Sequence, residues 1–146
     1  MAGVKRESID PETVRLSAEG CSFTYRRLKP GKLLLTIDGD DHGQFGAATI
    51  DEVNAEFDRF GVMTLFVDTI QASGPATSVM EAWTAYFGAN RKKFTRIAIL
   101  VSPDSQLLHL TVSIVQHLSG MVGQLRIFGS KDDFTAAIRA EVPEYR

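Results

Sequence analysis

The rhythm of hydrophobic and polar positions changes near Leu33. Before it, Val14, Leu16, Cys21, Phe23 and Tyr25 alternate with polar residues, the period of strands with one wet face. Lys29-Pro30-Gly31-Lys32 is a turn signal, because Pro presets φ and Gly supplies a positive one. It predicts a hairpin of Ser22–Leu28 against Leu33–Ile37. From Leu33 onward the apolar runs are nearly continuous: Leu33–Ile37, Val62–Val67, Ile97–Val101 and Leu125–Phe128. Runs of that kind fit strands covered on both faces, as in parallel sheets.

A helical pattern follows each run. The first covers Ile50 to Phe60, with Thr49 and Glu52 spaced as a capping box and Ile50, Val53, Phe57 and Phe60 on one face. The second carries Val79, Met80, Trp83, Tyr86 and Phe87, with Ser78 and Glu81 as another box. The third is expected to start at Ser102-Pro103 and to bury Leu107, Leu108, Thr111, Ile114, Val115 and Leu118. The fourth begins at Ser130, with Asp133 three residues later, and packs Phe134, Ala137 and Ile138. Together these predict a single-domain α/β fold over residues 13–142. Its mixed sheet has an N-terminal antiparallel hairpin followed by four strand–helix units, and a flexible tail over residues 1–12 precedes it. The third helix also shows Leu110 and Val112 on what should be its outer side. Either the helix is central, under the hairpin, or these residues form a dimer or partner contact.

Composition narrows the function classes. The chain has 146 residues, 44% hydrophobic and 23% charged, enough for a full core. A net charge of -2 gives no general attraction to nucleic acid or anionic membrane. Arg26, Arg27, Lys29 and Lys32, and then Arg91, Lys92, Lys93 and Arg96, form two basic groups that read as solvated ends of elements. Tyr25 and Phe94 are too few for a stacking platform. No run approaches membrane-span length, and the polar first residues lack the apolar core of a signal peptide. The expected protein is therefore cytoplasmic, not integral to a membrane, and without a nucleic-acid partner. Its one cysteine, Cys21, reads as a half-buried apolar residue.

The candidate chemistry is sparse. Asp38-Gly39-Asp40-Asp41-His42-Gly43 invites a calcium reading, but His42 and Thr49 occupy ligand places that need oxygen-rich side chains. It reads as an exposed acidic loop, and no metal or cofactor is expected. His109 and His117 are eight residues apart, twice the spacing at which two imidazoles on one helix share an ion. Gly39, Gly43 and Gly46 match neither the dinucleotide nor the phosphate-loop pattern. Ser73-Gly74 has Gln71 where a nucleophile elbow needs Gly. The expectation is a protein without catalytic residues.

From Met63 to Trp83 an apolar run stops at Asp68, a loop of small residues follows, and an amphipathic segment begins. That order places the loop at the C-terminal strand edge, beside a helix N-terminus, where ligands and covalent switches gather. Asp68, Thr69, Ser73, Gly74 and Ser78 are the candidate switch or partner residues. Phe57, Phe60, Trp83, Tyr86 and Phe87 supply aromatic surface that either fills the core or lines a site for a lipid or other apolar ligand.

The arrangement resembles the STAS domain, the anti-sigma factor antagonist (SpoIIAA-like) fold shared with CRAL-TRIO lipid-binding domains, and bacterial STAS-like proteins of unassigned function in particular. Four features carry the resemblance: Leu65-Phe66-Val67-Asp68 before a loop, Trp83 in the second helix, Phe94–Val101, and Arg126-Ile127-Phe128 ahead of a short helix with Phe134 and Ala137. It implies a regulatory module that binds a protein partner. The antagonists' motif, Asp-Ser-Ser/Thr-Gly, falls on Gln71-Ala72-Ser73-Gly74. The second hydroxyl and the glycine are kept, while Ala72 stands at the phosphorylated position. Ser73 is then either a helix cap or a phosphate acceptor near the helix N-terminus.

Overall fold

The computed structural model describes residues 3–146, including every side chain except those of residues 106–109. Expectations for the side chains of Leu107, Leu108 and His109 lie outside the described residues.

Seven strands form one sheet in chain order. They are β1 (Lys5–Asp10), β2 (Thr13–Ala18), β3 (Cys21–Lys29), β4 (Lys32–Gly39), β5 (Met63–Ala72), β6 (Phe94–Leu100) and β7 (Leu125–Phe128). The first four pair antiparallel and the last four parallel. The expected hairpin is present, with Tyr25 opposite Leu35 and Lys29 opposite Lys32 around the Pro30-Gly31 turn. Residues 5–10, expected as part of a flexible tail, instead form the edge strand β1, paired with β2 from Lys5 opposite Ser17 to Asp10 opposite Thr13. Its exposed, charged residues carry no alternating apolar signal, and charges on an edge strand oppose unwanted pairing.

Among the described residues four α-helices complete the fold: α1 (Ala48–Phe60), α2 (Thr77–Ala89), α3 (Gln106–Leu118) and α4 (Lys131–Glu141). Leu33, Leu35, Leu65, Val67, Ile97 and Ile99 face the first three helices, meeting Val53 and Phe57 of α1, Phe87 of α2, and Val112 and Val115 of α3. Leu34, Phe66, Ala98 and Leu100 point to the opposite face and meet Phe134 and Ile138 of α4. The continuous apolar runs are thus strands buried on both sides. Among the described residues no helix is long and apolar enough to cross a membrane.

Helix starts follow tertiary contacts more than local caps. Ser130 accepts from the Asp133 N–H at 3.3 Å, as its spacing predicts. At α1 the N-cap is Ala47, and Thr49 is buried inside the first turn, its carbonyl accepting from the Tyr25 hydroxyl at 2.7 Å. At α2 the N-cap is Ala76, so neither Ser73 nor Ser78 caps it. At Ser102 there is a turn, and α3 begins only at Gln106. The phase of α3 also differs from expectation: Val112 is buried in the core, while Leu110, Ile114 and Leu118 are exposed.

The C-terminal end of α4 is tied to the N-terminal ends of three parallel strands by one carboxylate. Glu141 pairs with Lys32 at 2.6 Å, accepts from the Thr64 hydroxyl at 2.9 Å, and meets Arg96 at 3.3 Å. Burial pushes its pKa up, but hydrogen bonds from Lys32 and Thr64 and the charges of Lys32 and Arg96 outweigh it and hold the carboxyl below its ordinary value. A depressed carboxyl contributes stability above the ordinary range and loses it as pH falls through the folded value. Glu141→Gln should therefore lower stability at pH 7 by about 1 kcal/mol, as expected for a partly exposed, hydrogen-bonded pair. In denaturant melts the gap to the unsubstituted protein should close as pH falls below the ordinary carboxyl range.

Candidate functional site

The end of β4, the end of β5 and the first turns of α2 converge on one side of the sheet. β5 runs on to Ala72, five residues past the expected end of its strand. Asp68 and Thr69, expected in a loop, are therefore strand residues. Beyond an irregularity after Thr36, Asp38 pairs with Gln71 and Gly39 with Ala72. The chain from Ser73 to Ala76 then folds back over the sheet end. Ser73 N–H donates to the Gly39 carbonyl at 2.8 Å and Ala76 N–H to the Asp41 carbonyl at 3.1 Å.

Behind this lip lies a cavity of about 110 Å³ between the sheet, α2 and α3. Its floor includes Leu35, Leu65, Val67 and Ile99, and its helical walls are Val79, Met80, Trp83 and Phe87 of α2 with Thr111, Val112 and Val115 of α3. Gly39, Asp41, Thr69, Ala72, Ser73 and Pro75 form the rim. The cavity is at the C-terminal ends of the parallel strands.

The candidate residues separate on this geometry. Trp83 and Phe87 line the cavity, their ring centroids 5.5 Å apart. Phe57 and Tyr86 do not: both pack on Phe94, at 4.9 and 6.3 Å between centroids, and the Tyr86 hydroxyl donates to Asn54 at 2.8 Å. Phe60 lies elsewhere, under the Arg27 guanidinium at 4.6 Å. Thr69 and Ser73 are on the rim, Asp68 accepts from the Ile70 N–H at 3.0 Å, and Ser78 is exposed within α2. Leu110 and Val112 do not share a face: Leu110 is 58% exposed, whereas Val112 is 7% exposed and lines the cavity. Val112 is therefore no part of an outer contact surface.

Asp41 is the residue that the sequence pattern conceals. Its run of carboxylates reads as an exposed loop, yet Asp41 is only 6% exposed and sits on the cavity rim. One carboxylate oxygen accepts from the Gly43 N–H at 3.0 Å. The signal for it is a Gly two residues after an Asp, the spacing of an Asx-turn. Burial raises its pKa, the Gly43 hydrogen bond and His42 oppose that, and Asp40 adds to it. Nearby, burial and then the charge of Asp41 push the Cys21 thiol up to about 11.

A crystal structure from Shewanella loihica PV-4, of an uncharacterized protein from the DUF3478 family with a SpoIIAA-like fold, superposes with a TM-score of 0.56 at 13% identity, covering 94% of this chain and 92% of that one. This chain has a SpoIIAA-like fold. No family model and no curated protein matches the sequence. On the SpoIIAA-like frame, Gln71 and Ala72 close β5, while Ser73 and Gly74 are exposed in the loop before α2.

The rim is held by Gly39, whose φ is +98°. A Cβ there would collide with the Gly20 carbonyl oxygen and lie 3.0 Å from Cys21 Cα. Gly39→Ala should cost about 3 kcal/mol, from the positive φ and a backbone clash together. Gly74→Ala, with no neighbour within 4 Å, is the control and should change stability by less than about 0.5 kcal/mol in the same urea titration.

Proposed function

We propose that this chain is a non-enzymatic STAS-like regulatory module that senses a small apolar ligand held in the cavity beside Trp83. The observation that carries the reading is the cavity itself. It is bordered on one side by a backbone lip, walled by Trp83, Phe87, Leu65 and Val67, and placed at the C-terminal strand ends. Apolar enclosures of this kind favour ligands that exchange water for dispersion contacts. Two buried nucleophiles of this region support a non-catalytic role. Thr69 donates its hydroxyl to the Leu100 carbonyl at 2.6 Å, and the Cys21 thiol is held far from its reactive thiolate form.

A second reading, protein binding through α3, is favoured by a different observation. Leu110, Ile114 and Leu118 recur every four residues on its exposed side, and Leu118 is 71% exposed. A partner or a second copy of the chain would bury that row. Leu110→Glu with Leu118→Glu should abolish self-association or partner capture in light scattering and pull-down without lowering the melting temperature. A unsubstituted protein that is monomeric and captures nothing from its own extract would defeat this second reading.

Trp83 is the chain's one tryptophan and reports directly on the cavity. Toluene should shift its emission saturably, and at ten times its Kd should stabilise the fold by about 1.4 kcal/mol. Val79→Phe, which enlarges a half-buried wall residue, should remove both responses and leave the fold intact. A linear, unsaturable response to toluene would overturn the cavity as a binding site.

A further inference from the structure

We infer that the cavity selects a bare hydrocarbon group and rejects the same group carrying a hydroxyl. The inference rests on the cavity being a ligand site, and adds the class of ligand and the chemical group that the site excludes. Two observations lead to it. The first is size. At about 110 Å³ the cavity approaches the roughly 150 Å³ of a dry engineered cavity that takes benzene, so it suits one ring or a short alkyl chain.

The second is that the wall offers a ligand no hydrogen-bond partner. Its surface is almost wholly carbon, and its depth is formed by the buried Leu35, Leu65, Val67, Ile99, Val112 and Val115. The polar residues of the lining are engaged elsewhere. Thr69 donates its hydroxyl to the Leu100 carbonyl, and the Asp41 carboxylate accepts from the Gly43 N–H. The amides of the lip, Ser73 and Ala76, donate to the Gly39 and Asp41 carbonyls. Ser73 is itself exposed, where water reaches its hydroxyl, and Thr111 is engaged as well. Among the described residues no deeply buried polar side-chain atom lacks a partner, so none waits for one from a ligand.

A hydroxyl carried into this space gives up its hydrogen bonds to water and forms none in exchange. A methyl group of nearly the same size loses nothing and gains dispersion contacts with the wall. The site therefore separates two molecules of one shape by a single polar atom. The polar residues Asp41 and Ser73 lie on the rim, while the depth is apolar. A hydrocarbon group can accordingly enter as a free molecule, or as the end of a longer chain whose polar group stays outside the rim.

Calorimetric titration of the full chain with two size-matched pairs, toluene with phenol and pentane with 1-butanol, tests this. The affinity ratio of hydrocarbon to alcohol should exceed the same pair's octanol–water partition ratio by about fivefold, because octanol pairs the hydroxyl and this cavity does not. A ratio at or below the partition value means that the wall pairs the hydroxyl: the exclusion is then wrong and the apolar site stands. If neither hydrocarbon binds, both fall. Octyl glucoside, kept below its micelle concentration, tells the two sources apart, since its sugar has to remain outside. Competition with pentane assigns the cavity to the end of a longer chain, and failure to compete assigns it to a free hydrocarbon.

Discussion

Three successive crossovers run the same way along the parallel half of the sheet, and the rest of the structure follows from that. β4, β5, β6 and β7 lie side by side in chain order, so each connection moves one strand in the same direction. Because such crossovers are right-handed, α1, α2 and α3 must all lie on one face. The opposite face is left to α4 alone. The strands answer with two apolar faces, Leu33 and Leu35 toward three helices and Leu34 toward one. On the poorer face, Phe134 meets Phe66 and Phe128 edge-on at 6.3 and 6.0 Å, and Glu141 anchors the helix end at three strand starts.

The crowded face is where the cavity forms. β5 continues to Ala72 and delays α2 until Thr77, so the connecting loop must return over the sheet end. Backbone amides hold it there, from Ser73 to Gly39 and from Ala76 to Asp41. A lip made of main chain adds little side-chain chemistry to the space behind it.

The parts of this architecture visible in the sequence are those with a clear period. The hairpin, the three later strands and the four helices follow from alternation, continuous apolar runs and helical spacing. β1 was hidden because its residues are polar and exposed, and its pairing with β2 is a tertiary choice. On α3, apolar residues occur nearly all round, so spacing alone sets no unique phase, and contact with α2 and the sheet turns Val112 and Val115 inward. The aromatic candidates share one signal but not one place. Trp83 and Phe87 reach the cavity, while Phe94 gathers Phe57 and Tyr86 into the core beside it. The N-terminal serine and threonine signals failed at α1 and α2 for a related reason. Tyr25 draws the Thr49 carbonyl into the core, and the returning loop places Ala76, not a hydroxyl residue, at the start of α2.

The cavity and the exposed apolar row are two sides of one helix. Thr111, Val112 and Val115 of α3 line the cavity, and Leu110, Ile114 and Leu118 face outward from the same thirteen residues. An α-helix of that length moves as a unit, because its backbone bonds resist local bending more than its side-chain contacts resist sliding. A ligand that displaces Val112 or Val115 therefore displaces the outer row by a similar amount. Ligand binding and protein binding are then not competing accounts of this surface. The two proposed readings would each use a different face of α3, so a ligand with different affinity for two positions of the helix would also bias the outer face.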